Sequence, residues 1–429
     1  MKFVLACYGS RGDVEPSVAV GRELQRRGHD VRMAVSPNLV GFTEEAGLAA
    51  VAYGLETQAL LDAQRNYWTC SFRTPWKRKE LKRLQRENLE ISAACWKEMT
   101  TTLTSLADGA DLLFTGLTFE QPAANVAEHY GIPLATLDYY PIRANGQLLP
   151  FLPSPLIRRA WMVGEWINWR AMKKTEDAQR RELGLPKARH TTSRRITERG
   201  SLQIQAYDEV WFPGLAAEWA KYDGQRPFVG TLTMESPTDA DEEVASWITA
   251  GTPPIFFGFG TIAIASPADT LALIAEACAE VGERALVCAG SSDFGTATDF
   301  EHVKVVSTVN YATTFPACRA VVHHGGAGTL AAGLRAGVPT LILWTLPDQI
   351  IWGAQLKRLK IGSARRFSSV TRKSLVGELR TILAPHYLAR AREIATRMTR
   401  PAESAAAAAD LLEDFARLRR VGGSVKPSG

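Results

Sequence analysis

Apolar and polar positions follow the same rhythm twice along the chain, and the rhythm is that of alternating strands and helices. Phe3 to Ala6 is a short apolar run, Pro16 to Arg27 carries apolar positions at helical spacing (Val18, Val20, Leu24) and stops at Gly28, and Val31 to Val35 is a second apolar run. Leu112 to Thr115, Gln121 to His129 and Leu134 to Leu137 repeat the unit. Between the two groups, residues 59–106 have no strand signal and predict a helical insertion. After Tyr207 to Phe212 the pattern fades, and Met234 to Glu243 is polar and acidic, as a linker would be. Alternation then resumes: Ile255 to Gly258, Thr270 to Val281, Ala285 to Cys288, Val303 to Val306, Ala320 to Val322, Leu330 to Ala336 and Thr340 to Leu343. Such βαβ repetition predicts parallel doubly wound sheets. The Ala/Arg-rich stretch from Tyr387 to Arg420 reads as helix interrupted at Pro401.

The expected organisation is therefore an α/β chain of two Rossmann-like domains. The first spans 1–213 with its insertion at 59–106, a linker spans 214–250, the second domain spans 251–400, and a terminal helix at 401–421 is long enough to return to the first domain. A chain of 429 residues is long for one core and suits two.

Composition adds modest constraints. With 46% hydrophobic and 22% charged residues the chain reads as globular. No secretory leader and no apolar run near the ~18 residues of a membrane span are expected, which places the protein in the cytoplasm. Six cysteines without a C-x-x-C pair read as reduced core thiols. The net charge of +5 is concentrated: residues 65–97 carry nine Lys/Arg against three Glu, and residues 157–200 carry twelve against five acids. Tryptophan punctuates both segments (Trp68, Trp76, Trp96; Trp161, Trp166, Trp169). Packed helical faces with snorkelling cations, a membrane-surface patch and a nucleic-acid patch are the competing readings, with nucleic acid least favoured.

The chemistry sits in loops that follow strands, where open α/β sheets bind ligands. His323-His324-Gly325-Gly326-Ala327-Gly328-Thr329 joins an apolar run to a helical pattern. Its small residues let backbone N–H groups close on an anion, and one histidine can add a charge-assisted hydrogen bond. After the first run, Gly9-Ser10-Arg11-Gly12-Asp13-Val14-Glu15-Pro16 lacks the dinucleotide spacing and puts an acid where a pyrophosphate would approach. Asp13 is placed either to take a proton from a group in the cleft or to cap a helix starting at Pro16. Gly258-Phe259-Gly260-Thr261 is a second small-residue loop with a hydroxyl. Trp344-Thr345-Leu346-Pro347-Asp348-Gln349 brings a carboxylate and a carboxamide of the kind that hold vicinal sugar hydroxyls. Asp239-Ala240-Asp241 matches a D-x-D metal motif superficially, but lies in the acidic linker away from any strand end, and no metal site is expected.

GSRGDVEP near the N-terminus, HHGGAGT, Arg335 to Leu343 (RAGVPTLIL) and Asp348-Gln349 together resemble glycosyltransferase family 1, in particular bacterial enzymes that glycosylate glycopeptide antibiotics and mycobacterial glycopeptidolipid glycosyltransferases. The resemblance spans the chain. It implies the GT-B fold, with acceptor held by the first domain and nucleotide-sugar donor by the second, and metal-independent transfer with inversion. It implies Asp13 as the catalytic base, with Ser10, Arg11 and Gly12 in its cleft loop. Thr261, His324, Gly326, Gly328 and Thr329 would hold the donor diphosphate, Asp348, Gln349 and Trp344 the donor sugar, and Val309, Asn310 and Tyr311 would lie near the base. Ala332 stands where plant members carry a ribose-binding glutamate, which fits a dTDP donor. No cofactor is implied beyond the nucleotide sugar as co-substrate. The implied partners are that donor and an amphiphilic lipopeptide, glycolipid or natural-product acceptor, with peripheral contact at the inner membrane face and no nucleic acid. A nucleotide-sugar epimerase and a non-catalytic carbohydrate- or lipid-binding module are the rival readings.

Overall fold

Strand β1 (Lys2–Cys7) is apolar over five successive residues because both of its faces are covered. Phe3, Leu5 and Cys7 pack towards helix α1 (Arg11–Arg26), whereas Val4 and Ala6 pack on the opposite face of the sheet. The computed structural model describes all residues except 149–151, 223, 235–236, 261–263, 265, 291, 293, 295–299 and 424–429. Beyond α1 the first sheet continues through β2 (Asp30–Val35), α2 (Val40–Glu45), β3 (Ala49–Ala52), α3 (Thr57–Arg73), α4 (Arg78–Ala107), β4 (Leu112–Gly116), α5 (Glu120–Tyr130), β5 (Leu134–Asp138), α6 (Ser154–Glu182), α7 (Thr192–Glu198) and β6 (Leu202–Gln205). All its strands are parallel, in the order β3-β2-β1-β4-β5-β6. The insertion is two helices, α3 and α4, packed against each other.

The second sheet follows α8 (Leu215–Trp219) and α9 (Asp241–Thr249). It is built from β7 (Ile255–Gly258), α10 (Pro267–Val281), β8 (Ala285–Cys288), β9 (Val303–Val306), α11 (Tyr311–Thr314), β10 (Ala320–His323), α12 (Ala327–Arg335), β11 (Thr340–Trp344), α13 (Pro347–Leu359) and β12 (Gly362–Arg366). Its order, β12-β11-β10-β7-β8-β9, repeats that of the first, again all parallel. Helices α14 (Arg372–Ile382) and α15 (Pro385–Ala395) complete this half. Then α16 (Pro401–Gly423) crosses back, burying Ala408, Ala409, Leu412 and Ala416 in the first domain's core. Arg27 on the first domain pairs with Asp410 at 2.6 Å, and His29 meets Glu413 at 3.0 Å. This is the GT-B arrangement of two facing α/β domains.

Several expectations need correction. The first helix begins at Arg11 rather than Pro16, so the small-residue loop is already its first turn and Pro16 lies inside it. The stretch 214–250 is not uniformly linker, since α9 buries Val244 and Ile248 against Phe256 and Leu286 of the second domain. Strands β3, β6 and β12 gave no signal; each is an edge strand, and two of them, AAVA and GSARR, are partly exposed. Of the tryptophans in the basic segments, Trp96 is buried with its Nε1–H donating to Gln179 (2.8 Å), and Trp169 donates to Glu176 (2.7 Å). Arg180 and Arg195 are likewise internal, paired with Glu128 and Glu176. Those parts of the basic segments are packed faces. Trp76 and Trp166 are exposed. All six cysteines are buried free thiols. Among the described residues no helix is long and apolar enough to cross a membrane.

Candidate active site

The strand order reverses between β1 and β4 in one sheet and between β7 and β10 in the other, which are the crevices where such sheets bind ligands. Both crevices open on one cleft of about 3350 Å³ between the domains. That volume exceeds the ~300 to 1,000 Å³ of a single small-molecule site and leaves room for two substrates.

On the first domain, β1 runs into Gly9, whose φ of +138° is open to glycine and strained for other residues. A Cβ there would stand 2.3 Å from Oδ2 of Asp13, so the bare glycine makes space for the carboxylate. Ser10 is the N-cap of α1, and Asp13 is the third helical residue, reaching back in a capping box. Its Oδ2 accepts from Ser10 N–H (2.7 Å) and Ser10 Oγ–H (2.9 Å), and its Oδ1 accepts from the Tyr139 hydroxyl. Burial pushes the Asp13 carboxyl above its ordinary value, and the hydrogen bonds from Tyr139 and Ser10 pull the other way. The cap and the cleft thus use the same carboxylate. Arg11 and Gly12 stand exposed at the rim, Arg11 paired with Glu15 at 3.0 Å.

On the second domain, β10 ends at His323, Gly325 turns with φ +102°, and Gly326 caps α12 without a side-chain acceptor. The first-turn N–H groups of Ala327, Gly328 and Thr329 precede any intrahelical acceptor and face the cleft, an anion site reinforced by the helix dipole. The His324 ring fills the space left by two missing side chains: a Cβ on Gly260 would meet its Cε1 at 2.7 Å, and one on Gly326 its Nε2 at 2.7 Å. Burial lowers its pKa to about 4, opposed by the Gly258 carbonyl. The expected charge-assisted histidine is therefore a neutral imidazole, offering a hydrogen bond without a formal charge. His323 is fully buried and its Nδ1 accepts from Gly325 N–H at 3.0 Å, which shapes the turn.

At the end of β11, Trp344 lines the cleft beneath the Arg366 guanidinium, 5.8 Å from its ring centre. Asp348 occupies the first turn of α13 and points to the same space; burial first, then the charge of Asp13, raises its pKa to about 6. The Gln349 Oε1 accepts from Thr345 N–H (2.7 Å) and Leu346 N–H (2.9 Å), leaving its amide nitrogen as the group available to a ligand. At the expected base region, Val309 is buried, Asn310 caps α11, and the Tyr311 ring stacks on Phe315 with centroids 4.5 Å apart. All three line the cleft. Thr261 lies outside the described residues. Asp241 is not remote from a strand end: its Oδ1 accepts from Asn310 N–H at 3.0 Å and so pins the loop after β9. Sequence reasoning passed over Tyr139 and Tyr140, although both follow the carboxyl end of β5, a position that marks ligand-facing residues.

Residues 3–109 match the glycosyltransferase family 28 N-terminal domain, and residues 289–413 match the C-terminal domain of erythromycin biosynthesis protein CIII-like proteins. The chain is 60% identical over 423 residues to the uncharacterized glycosyltransferase Rv1524 of Mycobacterium tuberculosis, covering 98% of this chain and 100% of that one. Its fold resembles CalG4, the calicheamicin glycosyltransferase (TM-score 0.71, 17% identity, 98% of each chain), and glycosyltransferase VinC solved with dTDP (TM-score 0.62, 18% identity, 98% of this chain and 100% of that one). The fold and the relatives define a two-domain glycosyltransferase. The chain belongs to glycosyltransferase family 1.

Proposed function

We propose that the protein transfers a hexosyl or deoxyhexosyl group, such as rhamnose or 6-deoxytalose, from a dTDP- or UDP-sugar to a hydroxyl of an amphiphilic acceptor. That acceptor is a lipopeptide of the glycopeptidolipid kind, a glycolipid or an antibiotic-like natural product, and the setting is cell-envelope biosynthesis in the cytoplasm, at the inner face of the membrane. The observation that carries this reading is the placement of the Asp13 carboxylate and the N-terminus of α12 on opposite walls of one cleft.

Asp13 removes the proton of the acceptor hydroxyl, which attacks the anomeric carbon from the face opposite the leaving diphosphate and inverts it. The first-turn amides of α12, its dipole and the His324 N–H stabilise charge on the departing diphosphate, so the reading needs neither metal nor other cofactor. Asp348 and the Gln349 amide orient the sugar. A dTDP donor is favoured because Ala332 on the cleft wall offers no carboxylate for a ribose 2′-hydroxyl. The acceptor side supports an amphiphile: Leu61, Trp68 and Leu89 from α3 and α4 and Leu156 and Ile167 from α6 line it together with Gln64, Gln85 and Asn88.

The test incubates dTDP- and UDP-sugars with detergent-dispersed mycobacterial lipid and lipopeptide fractions and measures free nucleoside diphosphate. Release only with acceptor, lost in Asp13→Ala, supports transfer. Conversion of the sugar nucleotide without acceptor would favour an epimerase, and undiminished transfer by Asp13→Ala would remove the base.

A further inference from the structure

Helix α6 presents two apolar faces. One, including Leu156, Ala160 and Ile167, lines the acceptor side of the cleft. The other does not line it: Met162 and Val163 are each 56% exposed and Trp166 is 53% exposed, Met162 and Val163 lying four and three residues before Trp166 and so beside it on the helix surface. Isolated exposed apolar side chains are ordinary, but three large ones in five residues form a patch that marks an interaction surface.

The charges around that stripe say what it fits. Arg159, Arg170 and Lys174 are exposed and continue the outer side by successive turns, and the Arg170 guanidinium lies 5.8 Å from the Trp166 ring centre. Glu165 is the one acid between Ser154 and Thr175 in the sequence, and it is turned to the Ser193 hydroxyl. An apolar stripe with Trp at its centre, cations on its flanks and no free anion complements a sheet of negative headgroups over an acyl layer.

We infer that the outer face of α6 docks on an anionic bilayer, with its inner face forming the wall along which a membrane-resident acceptor enters the cleft. The docking stands on the surface alone; only the entry route rests on the amphiphilic-acceptor reading above. Met162, Val163 and Trp166 insert at the headgroup boundary, and Arg159, Arg170 and Lys174 hold the headgroups. The helix lies on the membrane and does not span it.

The full chain is sedimented with phosphatidylcholine vesicles with and without phosphatidylglycerol, at low and high salt. Expected is binding that requires phosphatidylglycerol and weakens with salt. It falls about tenfold or more in a Met162→Ser, Val163→Ser, Trp166→Ser variant and loses its salt dependence in Arg159→Gln, Arg170→Gln, Lys174→Gln. Thermal stabilisation by dTDP, unchanged in both variants, shows that they fold. Absence of vesicle binding by the intact protein, or binding that survives the apolar variant, overturns the inference. So does a solution dimer that the apolar variant disperses, which would make this face a contact between copies. Transfer to detergent-dispersed acceptor is read separately: if it persists while vesicle binding is absent, the docking falls and the transferase reading stands.

Discussion

The Tyr139 hydroxyl donates to Oδ1 of Asp13, joining the end of the fifth strand to the first turn of the first helix across 126 residues of sequence. With Ser10 on the other oxygen, both carboxylate oxygens are held, and among the described residues no cation pairs with the carboxyl. This hydrogen bond favours the charged form and opposes the burial that raises the Asp13 pKa. Tyr139→Phe removes it, so the acid limb of kcat/KM moves to higher pH while the plateau activity at alkaline pH changes little. A pH profile with an unmoved acid limb would reduce Tyr139 to packing.

Asp13→Asn lowers kcat/KM by ~10² to 10⁴, the usual contribution of a general base. Its effect on stability has the opposite sign. Because the folded pKa lies above the unfolded one, the favourable contribution of this carboxyl is complete below the unfolded pKa and is lost as pH rises through the folded value. Melting curves should therefore show the substitution gaining stability relative to the intact protein at pH 8 and not at pH 4.

Gly9→Ala tests the space made for that carboxylate. The new Cβ falls 2.3 Å from Oδ2 at a φ of +138°, whereas Gly28, at φ +86°, has nothing within 4 Å of a Cβ. Gly28→Ala should cost only the backbone strain of ~1 to 2 kcal/mol. Gly9→Ala should cost more and lower kcat/KM as well, because the carboxylate must move. Equal melting shifts with intact activity would contradict the close approach.

The neutral state of His324 and the raised Asp348 separate in a titration of nucleotide-sugar affinity. Asp348 near 6 loses its charge below that pH and with it the stronger acceptor for sugar hydroxyls, so donor affinity falls on acidification. In Asp348→Asn the affinity should stay flat between about pH 5 and 8, since His324, lowered to about 4, does not titrate there. A rise in affinity on acidification in that variant would mean His324 becomes charged. His324→Ala should cost ~10² to 10³ in kcat, as loss of one preorganised donor does.

Arg335, on the helix whose N-terminus lines the cleft, donates to the Thr399 carbonyl (2.8 Å), the Thr233 hydroxyl (2.8 Å) and the Thr231 carbonyl. These belong to the two places where the chain crosses between domains. Asp208 of the first domain grips the same crossings, accepting from Thr399 N–H (2.7 Å) and Thr231 N–H (3.3 Å). Arg335→Met should lower the melting temperature by the loss of charged hydrogen bonds worth ~1.5 to 3 kcal/mol each, and scanning calorimetry should show the two domains melting less cooperatively.

The interior strands were legible because they are covered on both faces: β1, β4, β5, β7, β8, β10 and β11 are buried and mostly apolar. The edge strands β3 and β12 were not, since exposure lets alanine, serine and arginine into them. The start of α1 was misplaced because Pro16 reads as a first-turn signal, whereas the helix is capped at Ser10 and carries Pro16 inside it.

Sequence alone determined the two-fold βαβ rhythm, the loops that carry chemistry and the family, because hydrophobic period and small-residue turns are local properties of the chain. Only the tertiary structure decided what those loops do to each other. Asp13 acquires Tyr139 as a partner, His324 is kept neutral by burial between Gly260 and Gly326, and Asp348 feels the charge of Asp13 across the cleft. Each of these depends on desolvation and on distances between residues remote in sequence, quantities fixed only when two sheets close on a common space.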